Sequence, residues 1–452
     1  MLSQRVRKYL YIGFISIVAA TVLLSVYYLI TVHYINQVYN ERYNAQGDVA
    51  LRKFPYPYRA AIAISNDIDA TGTLEEFLEI NKYLNTTEQT SMGTGPGLNI
   101  GGSFYFYGPD SGTISYLSNH LEIQEAIRDQ IRKGYVDFLH SYGQKSNFDR
   151  NDAIRAIKDL EKNNLKLDVW IDHDHVINNL GDDVNSGLGA HPSSNAYHAD
   201  LTLHYGIKFA CLGRLTMIVG QATQITPEAF TSIYDPDHPL HSVRNIIKEF
   251  AKNVLANFGY PKYSMHKEND LVKVTELADG QKVFEFMRFI DYWKGIPTGA
   301  DSRGLSYSLS KRNLERLKEN HGYMIAYTHL GKNADCAQYI CEETQNTLRN
   351  LANEYRAGNI FVFSTSKLLN YFIAHKYLKW SYEIKNDKTT ISILNIDNPI
   401  SGSFVPNVRD LKGITFYVAN TKDAHVMIGG QEIKNIMIND TDYTGKKSIT
   451  IQ

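Results

Sequence analysis

The sequence predicts an α/β protein: a distorted (β/α)7-8 barrel preceded by an N-terminal transmembrane helix and followed by a small all-β sandwich. Three observations carry that expectation. Between residues 59 and 377, short apolar runs alternate with amphipathic stretches at helical spacing, the pattern of parallel strands joined by crossover helices. Ahead of them stands an uninterrupted uncharged run from Tyr9 to Val32. From residue 378 to 452 helical patterning gives way to short alternating segments such as Thr389-Thr390-Ile391-Ser392-Ile393, which read as a β-sandwich.

Residues 1–35 read as a basic tip and a signal anchor. Arg5, Arg7 and Lys8 precede the apolar run, and Tyr27, Tyr28, His33 and Tyr34 at its far end read as an interfacial aromatic belt. The run is longer than the apolar core of a cleaved signal peptide and is able to span a hydrocarbon layer of roughly 30 Å. With the basic flank on the N-terminal side, the N-terminus is expected in the cytoplasm and the folded part outside, as a single-pass protein of the cell membrane. Residues 36–58 are polar and tyrosine-rich and end in Phe54-Pro55-Tyr56-Pro57-Tyr58, an extended linker by composition.

Within 59–377, strands are expected at 60–66, 99–107, 135–140, 167–173, 207–213, 283–290, 323–329 and 360–364. Helices are expected at 74–84, 121–133, 150–163, 197–205, 311–320, 343–357 and 366–377. In the third of these, Ala153, Ile154, Ile157 and Leu160 fall at helical spacing behind Asp149, an N-cap residue type. A doubly wound open sheet is the competing architecture, but no glycine-rich dinucleotide loop follows the first strand. The 378–452 sandwich is expected to cover one side of the barrel, since no aromatic cluster marks a binding face.

Composition narrows the function. Lys and Arg number 47 against 48 Asp and Glu, so no electrostatic pull toward nucleic acid is implied. The 31 tyrosines suit carbohydrate, whose C–H faces stack on aromatic rings, although tyrosine also fills cores. Cys211, Cys336 and Cys341 make no disulfide framework; a Cys336–Cys341 bridge and two reduced thiols are both open.

A barrel delivers its chemistry at the C-terminal ends of its strands. The first strand ends in Asp67 and Asp69, the third in His140, the fourth in Asp172-His173-Asp174-His175, the fifth in Arg214, the sixth in Arg288 and Asp291, and the seventh in His329. The second brings Tyr105 and Tyr107. Asp with several His is a ligand set for one divalent metal ion, Zn²⁺ first among them. A further carboxylate can take a proton from water, and a histidine opposite can protonate a leaving group. No G-x-S-x-G elbow is present, so serine esterase chemistry is not supported.

The order D-x-D, His, Arg, His along these strand ends resembles the polysaccharide deacetylase family, the NodB-homology domains, over roughly residues 59–376. The resemblance implies a distorted barrel that removes acetyl groups from sugars with a divalent metal. By position, Asp67 matches the catalytic base, Asp69 a metal ligand, His140 the first histidine of the metal motif and His329 the catalytic acid. Arg214 is the candidate for the arginine that orients the base. The family's second metal-binding histidine has no counterpart, because Gln144 stands four residues after His140. His173 is therefore expected to complete the metal site, with Tyr105, Tyr107, Asp172, His175 and Arg288 lining the substrate groove. The expected function is a membrane-anchored deacetylase of a cell-surface or exported polysaccharide, with envelope polysaccharide-assembly proteins as conceivable partners. Two alternatives stand beside it: a metal-free glycoside hydrolase using Asp69 with Asp172 or Asp291, and an inactive glycan-binding or assembly protein.

Overall fold

The computed structural model describes residues 4–43, 47–109, 112–117, 120–291 and 300–452. The first three residues of the expected basic tip lie outside the described residues.

Strand Ala60–Asn66 is buried along its whole length, and its alternating side chains serve two different cores. Ala61 and Ala63 face inward, onto Phe138, Val169, Ile171, Phe209, Phe286 and Ile325. Ala60, Ile62 and Ile64 face outward, onto helical residues such as Ile80, Leu348 and Leu351. That two-residue period recurs in the neighbouring strands and determines which side chains reach the interior. Helices cover the outside. Leu74–Asn85 is capped by the Thr73 side chain, and Arg150–Lys162 by a capping box between Asp149 and Asp152. Leu121–Lys133 ends at Gly134, whose φ of 76° supplies the left-handed turn that stops the helix.

The central sheet has 11 strands and curls into a half-barrel. Ala60–Asn66 pairs in parallel with Tyr323–Thr328 on one side, and with Ile360–Phe363 and Gly102–Phe104 on the other. From Gly102–Phe104 the ladder continues in parallel through Val136–His140, Val169–Ile171 and Phe209–Cys211. Two expected strands are broken. The 207–213 run is cut to Phe209–Cys211 ahead of Gly213, whose φ is 90°, and a further strand, Leu215–Thr216, follows beyond it. The 283–290 run splits at Met287 into Lys282–Phe286, which pairs with Phe209–Cys211, and Arg288–Phe289, which pairs with Leu215–Thr216 and Tyr323–Thr328. Lys282–Phe286 also forms a hairpin with Val272–Glu276.

The N-terminal helix runs from Gln4 to Tyr43, and its Val18–Tyr43 part is long and apolar enough to cross a membrane. It continues into the segment expected as an extended linker. There Val49–Arg52 is a strand paired antiparallel with Thr415–Val418. The buried Arg52 guanidinium binds the carbonyls of Phe54, Pro55 and Pro57 and the carboxylate of Asp442. Composition marked the stretch as polar, but its polar groups are spent on tertiary bonds. The strands from residue 378 onward form a 5-stranded sheet and contribute three strands to a 4-stranded sheet that Val49–Arg52 completes. Their core, including Ile391, Phe416 and Ile449, is continuous with Phe209 and Phe284 of the curled sheet through helix Thr365–Tyr377. A further helix, Pro239–Asn257, occupies a stretch to which the sequence reading assigned no element. Cys336 and Cys341 are joined in a disulfide, while Cys211 is free and buried.

Candidate metal centre

The strand ends converge on one buried cluster of ionisable groups. Beyond Asn66 the chain is pinned by the Asp67 amide donating to the Thr328 carbonyl (2.9 Å) and the Ile68 amide donating to Ser103 Oγ (2.8 Å). Asp67 is fully buried and Asp69 nearly so, both continuing the inward parity of Ala61 and Ala63. His140 continues Phe138, His173 continues Val169 and Ile171, Arg288 continues Phe284 and Phe286, and His329 continues Tyr323 and Ile325. One alternation, read along five strands, thus delivers six functional groups to one place.

Two sets of possible ligand atoms lie there, Asp69 with His140 and His173, and Asp67 with Asp69 and His329, each within 4.8 Å of one another. Asp69 carboxylate oxygens stand 3.2 Å from His140 Nε2, 3.4 Å from His173 Nδ1 and 3.5 Å from His329 Nε2. His140 Nε2 and His173 Nδ1 are 3.1 Å apart. His140 Nδ1 faces the Ile171 carbonyl at 3.3 Å, an arrangement that holds a proton on Nδ1 and turns Nε2 toward Asp69. His329 is oriented in the same way, Nδ1 donating to the Ala300 carbonyl at 2.7 Å. His173 is held by Tyr105, whose hydroxyl is 2.9 Å from Nδ1 and whose ring stacks on His140. Gln144, four residues beyond His140, places its amide 3.0 Å from His173 Nε2. The residue that departs from the family pattern therefore supports the histidine expected to compensate for it.

Asp67 is bound by Arg288, whose Nη1 donates to both carboxylate oxygens at 2.9 and 2.8 Å. The guanidinium also lies 3.7 Å over the Tyr327 ring centroid. Burial pushes Asp67 up, but Arg288 and then His140 and His329 outweigh it and hold the carboxyl below its usual range. Asp69 is likewise held well below that range, burial being overcome by His140, His329 and His173. Burial pushes His140 down, but Asp67 and Asp69 outweigh it and raise it. Burial lowers His173 and His329, each to about 4, so both are neutral imidazoles at physiological pH.

Several expected residues stand elsewhere. Arg214 does not orient Asp67: it pairs with Glu285 and with Asp183 (2.7 Å), and Arg288 holds the base instead. Asp172 does not line a groove. It points outward, buried, accepting from Trp170 Nε1 (2.7 Å) and the amides of Leu180 and Gly181 (both 2.8 Å). Burial pushes its carboxyl up to about 7. His175 is exposed beside Asp174 and Ser186. The Tyr107 hydroxyl donates to the Asp152 carbonyl (3.0 Å). Asp291 is engaged by Asn313 (2.8 Å) and Arg312 (3.3 Å). Tyr327, not singled out from sequence, touches His329 Nε2 at 3.3 Å and shields Arg288.

The donor set fits a divalent cation. Asp69 Oδ2 is buried without a hydrogen-bond partner, and one ring nitrogen from each of two imidazoles converges beside it. One carboxylate and two imidazoles suit a borderline metal. Comparison of the chain with family profiles, curated proteins and solved structures found no match.

Proposed function

We propose that the chain is a metal-dependent hydrolase that removes acetyl groups from a cell-surface or exported polysaccharide, working at the mouth of a distorted barrel whose closure runs through residues 282–289. The observation that carries this reading is the convergence of Asp69, His140 and His173 beside an Arg-held carboxylate, Asp67, and an oriented histidine, His329. Asp69 and His140 would hold the metal with His173 as third ligand, Zn²⁺ being the preferred ion. A divalent ion there supplies a Lewis acid that polarises an acyl carbonyl and acidifies water. Asp67, kept ionised by Arg288, takes the proton of the attacking water. His329 Nε2, which stands 3.9 Å from Asp67 Oδ2, receives a proton and passes it to the departing amine or alcohol. Tyr105 and Gln144 hold His173 in place. The N-terminal helix, read as an anchor with its N-terminus cytoplasmic, would carry the site outside the membrane.

The test measures metal content and acetate release for the full chain in detergent. The expected result is one divalent ion per chain, lost in D69A and H140A, and acetate release abolished in D67N with the metal retained. A metal-free chain that cleaves glycosidic bonds would establish the glycosidase reading in its place.

A further inference from the structure

Helix Pro239–Asn257 lies against the N-terminal helix, away from the metal centre. Tyr27 stacks on Phe258 at 5.5 Å, Tyr28 packs edge-on against Phe250 at 5.8 Å, and the Tyr28 hydroxyl donates to Asn253 Oδ1 at 2.7 Å. Between the two helices runs a groove of about 760 Å³ whose walls are almost wholly apolar, Leu24, Leu29, Phe230 and Val254 among them. The contacted residues of the N-terminal helix, Thr21 to Val32, belong to its uncharged run. Packed helices lie about 8–10 Å apart, so Phe250, Val254 and Phe258 share the depth of the residues they touch.

The outer face of Pro239–Asn257 is apolar too. Leu240 is 85% exposed and Ile247 62%, with Val243 and Phe250 on the same side. These positions recur at helical spacing and form one stripe. Arg244 and Lys248, both exposed, border it, and Tyr234 and Tyr260 stand exposed near the ends of the helix. A soluble surface rarely leaves such a stripe in water. An apolar face edged by basic residues, beside a helix able to span a bilayer, has the composition of an interfacial helix.

We propose that Pro239–Asn257 is a membrane-interface helix: its Leu240–Val243–Ile247–Phe250 stripe is buried among the acyl chains of the outer leaflet beside the N-terminal helix, and Arg244 and Lys248 reach the lipid phosphates. This rests on reading the N-terminal helix as an anchor. The occupant is phospholipid, because the stripe continues the apolar surface of that helix and its basic border complements phosphate.

The experiment places a nitroxide on I247C, L23C or K385C in the full chain, reconstituted in phosphatidylcholine–phosphatidylglycerol liposomes, and compares relaxation by oxygen with relaxation by a water-soluble nickel chelate. Positions 247 and 23 are expected to be oxygen-accessible and nickel-protected, and position 385, exposed at the end of strand Leu378–Lys385, the reverse. L240C, 85% exposed on the stripe and outside the groove, provides a second reading if I247C fails to fold. A label at 247 that is nickel-accessible while 23 is protected overturns the interfacial helix and leaves the anchor standing. Protection of 247 from both reagents overturns it in favour of a second copy of the chain on that face. Nickel access at 23 overturns the anchor itself, and the interfacial helix with it.

Discussion

Replacing Arg288 tests the link between the fold and the chemistry most directly. Asp67 is fully buried, and its ion partner contributes one nitrogen 2.9 and 2.8 Å from the two carboxylate oxygens. At an effective dielectric constant of 20, opposite charges about 4 Å apart attract by about 4 kcal/mol, equivalent to about three pKa units. Without Arg288, burial becomes the dominant influence on Asp67, and the carboxyl moves up. The sign follows from the depressed value. In the wild type, Asp67 contributes stability above its unfolded pKa that is lost only as pH falls through the folded one. In R288Q that contribution disappears, and the acid limb of kcat/KM for acetate release moves to higher pH, so the loss of activity is larger at about pH 5 than at about pH 8. Breaking a buried pair costs about 3–5 kcal/mol, so R288K, which keeps the charge but loses the flat contact with Tyr327, is the variant to read if R288Q does not fold. R214Q, which breaks the pairs with Asp183 and Glu285, is expected to lower stability and leave the acid limb in place. An unmoved limb in folded R288Q, or a moved one in R214Q, would refute the assignment of Arg288 as the partner of the base.

Three other outcomes are expected. Q144L, which removes the amide beside His173 Nε2, should weaken metal retention by about 10–100-fold in a chelator competition without changing the fold. Asp137 is pushed up to about 7 by burial, which outweighs its hydrogen bonds from the Ser366 amide and the Ser364 side chain, so it contributes stability below pH 4 that is lost as pH rises toward 7. D137N should therefore gain on the wild type by a few kcal/mol between pH 4 and pH 8 in chemical denaturation, and a pH-independent difference would contradict this. D149A removes the side-chain half of a capping box, leaving the amide of residue 149 on the Asp152 carboxylate, and should cost about 1 kcal/mol by the same measurement.

Much of the fold was legible because the helices are capped and the strands are apolar on both faces. Leu121–Lys133 coincides with its expected bounds, and Arg150–Lys162 starts where Asp149 promised. Two of the misplaced site residues, Arg214 and Asp172, share one cause: strand ends were read by position without following the alternation. Phe209 and Cys211 face inward, so Arg214, an odd number of residues further along, falls on the other parity, where Glu285 awaits it. Trp170 packs outside, and Asp172 follows it. The same counting from Phe284 and Phe286 brings Arg288 inside. A second signal was available in the sixth strand, since Glu285 and Arg288 sit in an apolar run and buried charges need partners. What no local pattern revealed is the break at Met287, because it depends on how the sheet curls. Helix Pro239–Asn257 was legible in principle from the spacing of Leu240, Val243, Ile247, Phe250 and Val254.

The attachment of the N-terminal helix has mechanical consequences. Asn36 exchanges side-chain hydrogen bonds with the amide and carbonyl of Ile225, both 2.8 Å. The ammonium of Lys53 sits 4.5 Å from the Tyr43 ring centroid and 5.2 Å from that of Tyr39, and donates to the His321 carbonyl at 2.7 Å. The helix is thus a stiff axle bolted to the domain, not a tether. For an anchored chain, the Asp–His cluster then keeps one height and one tilt above the lipid, and its reach comes from lateral diffusion, not from swinging. Each residue added to the axle below Asn36 would turn the domain by about 100° and lift it by about 1.5 Å, so orientation is coupled to helix length residue by residue.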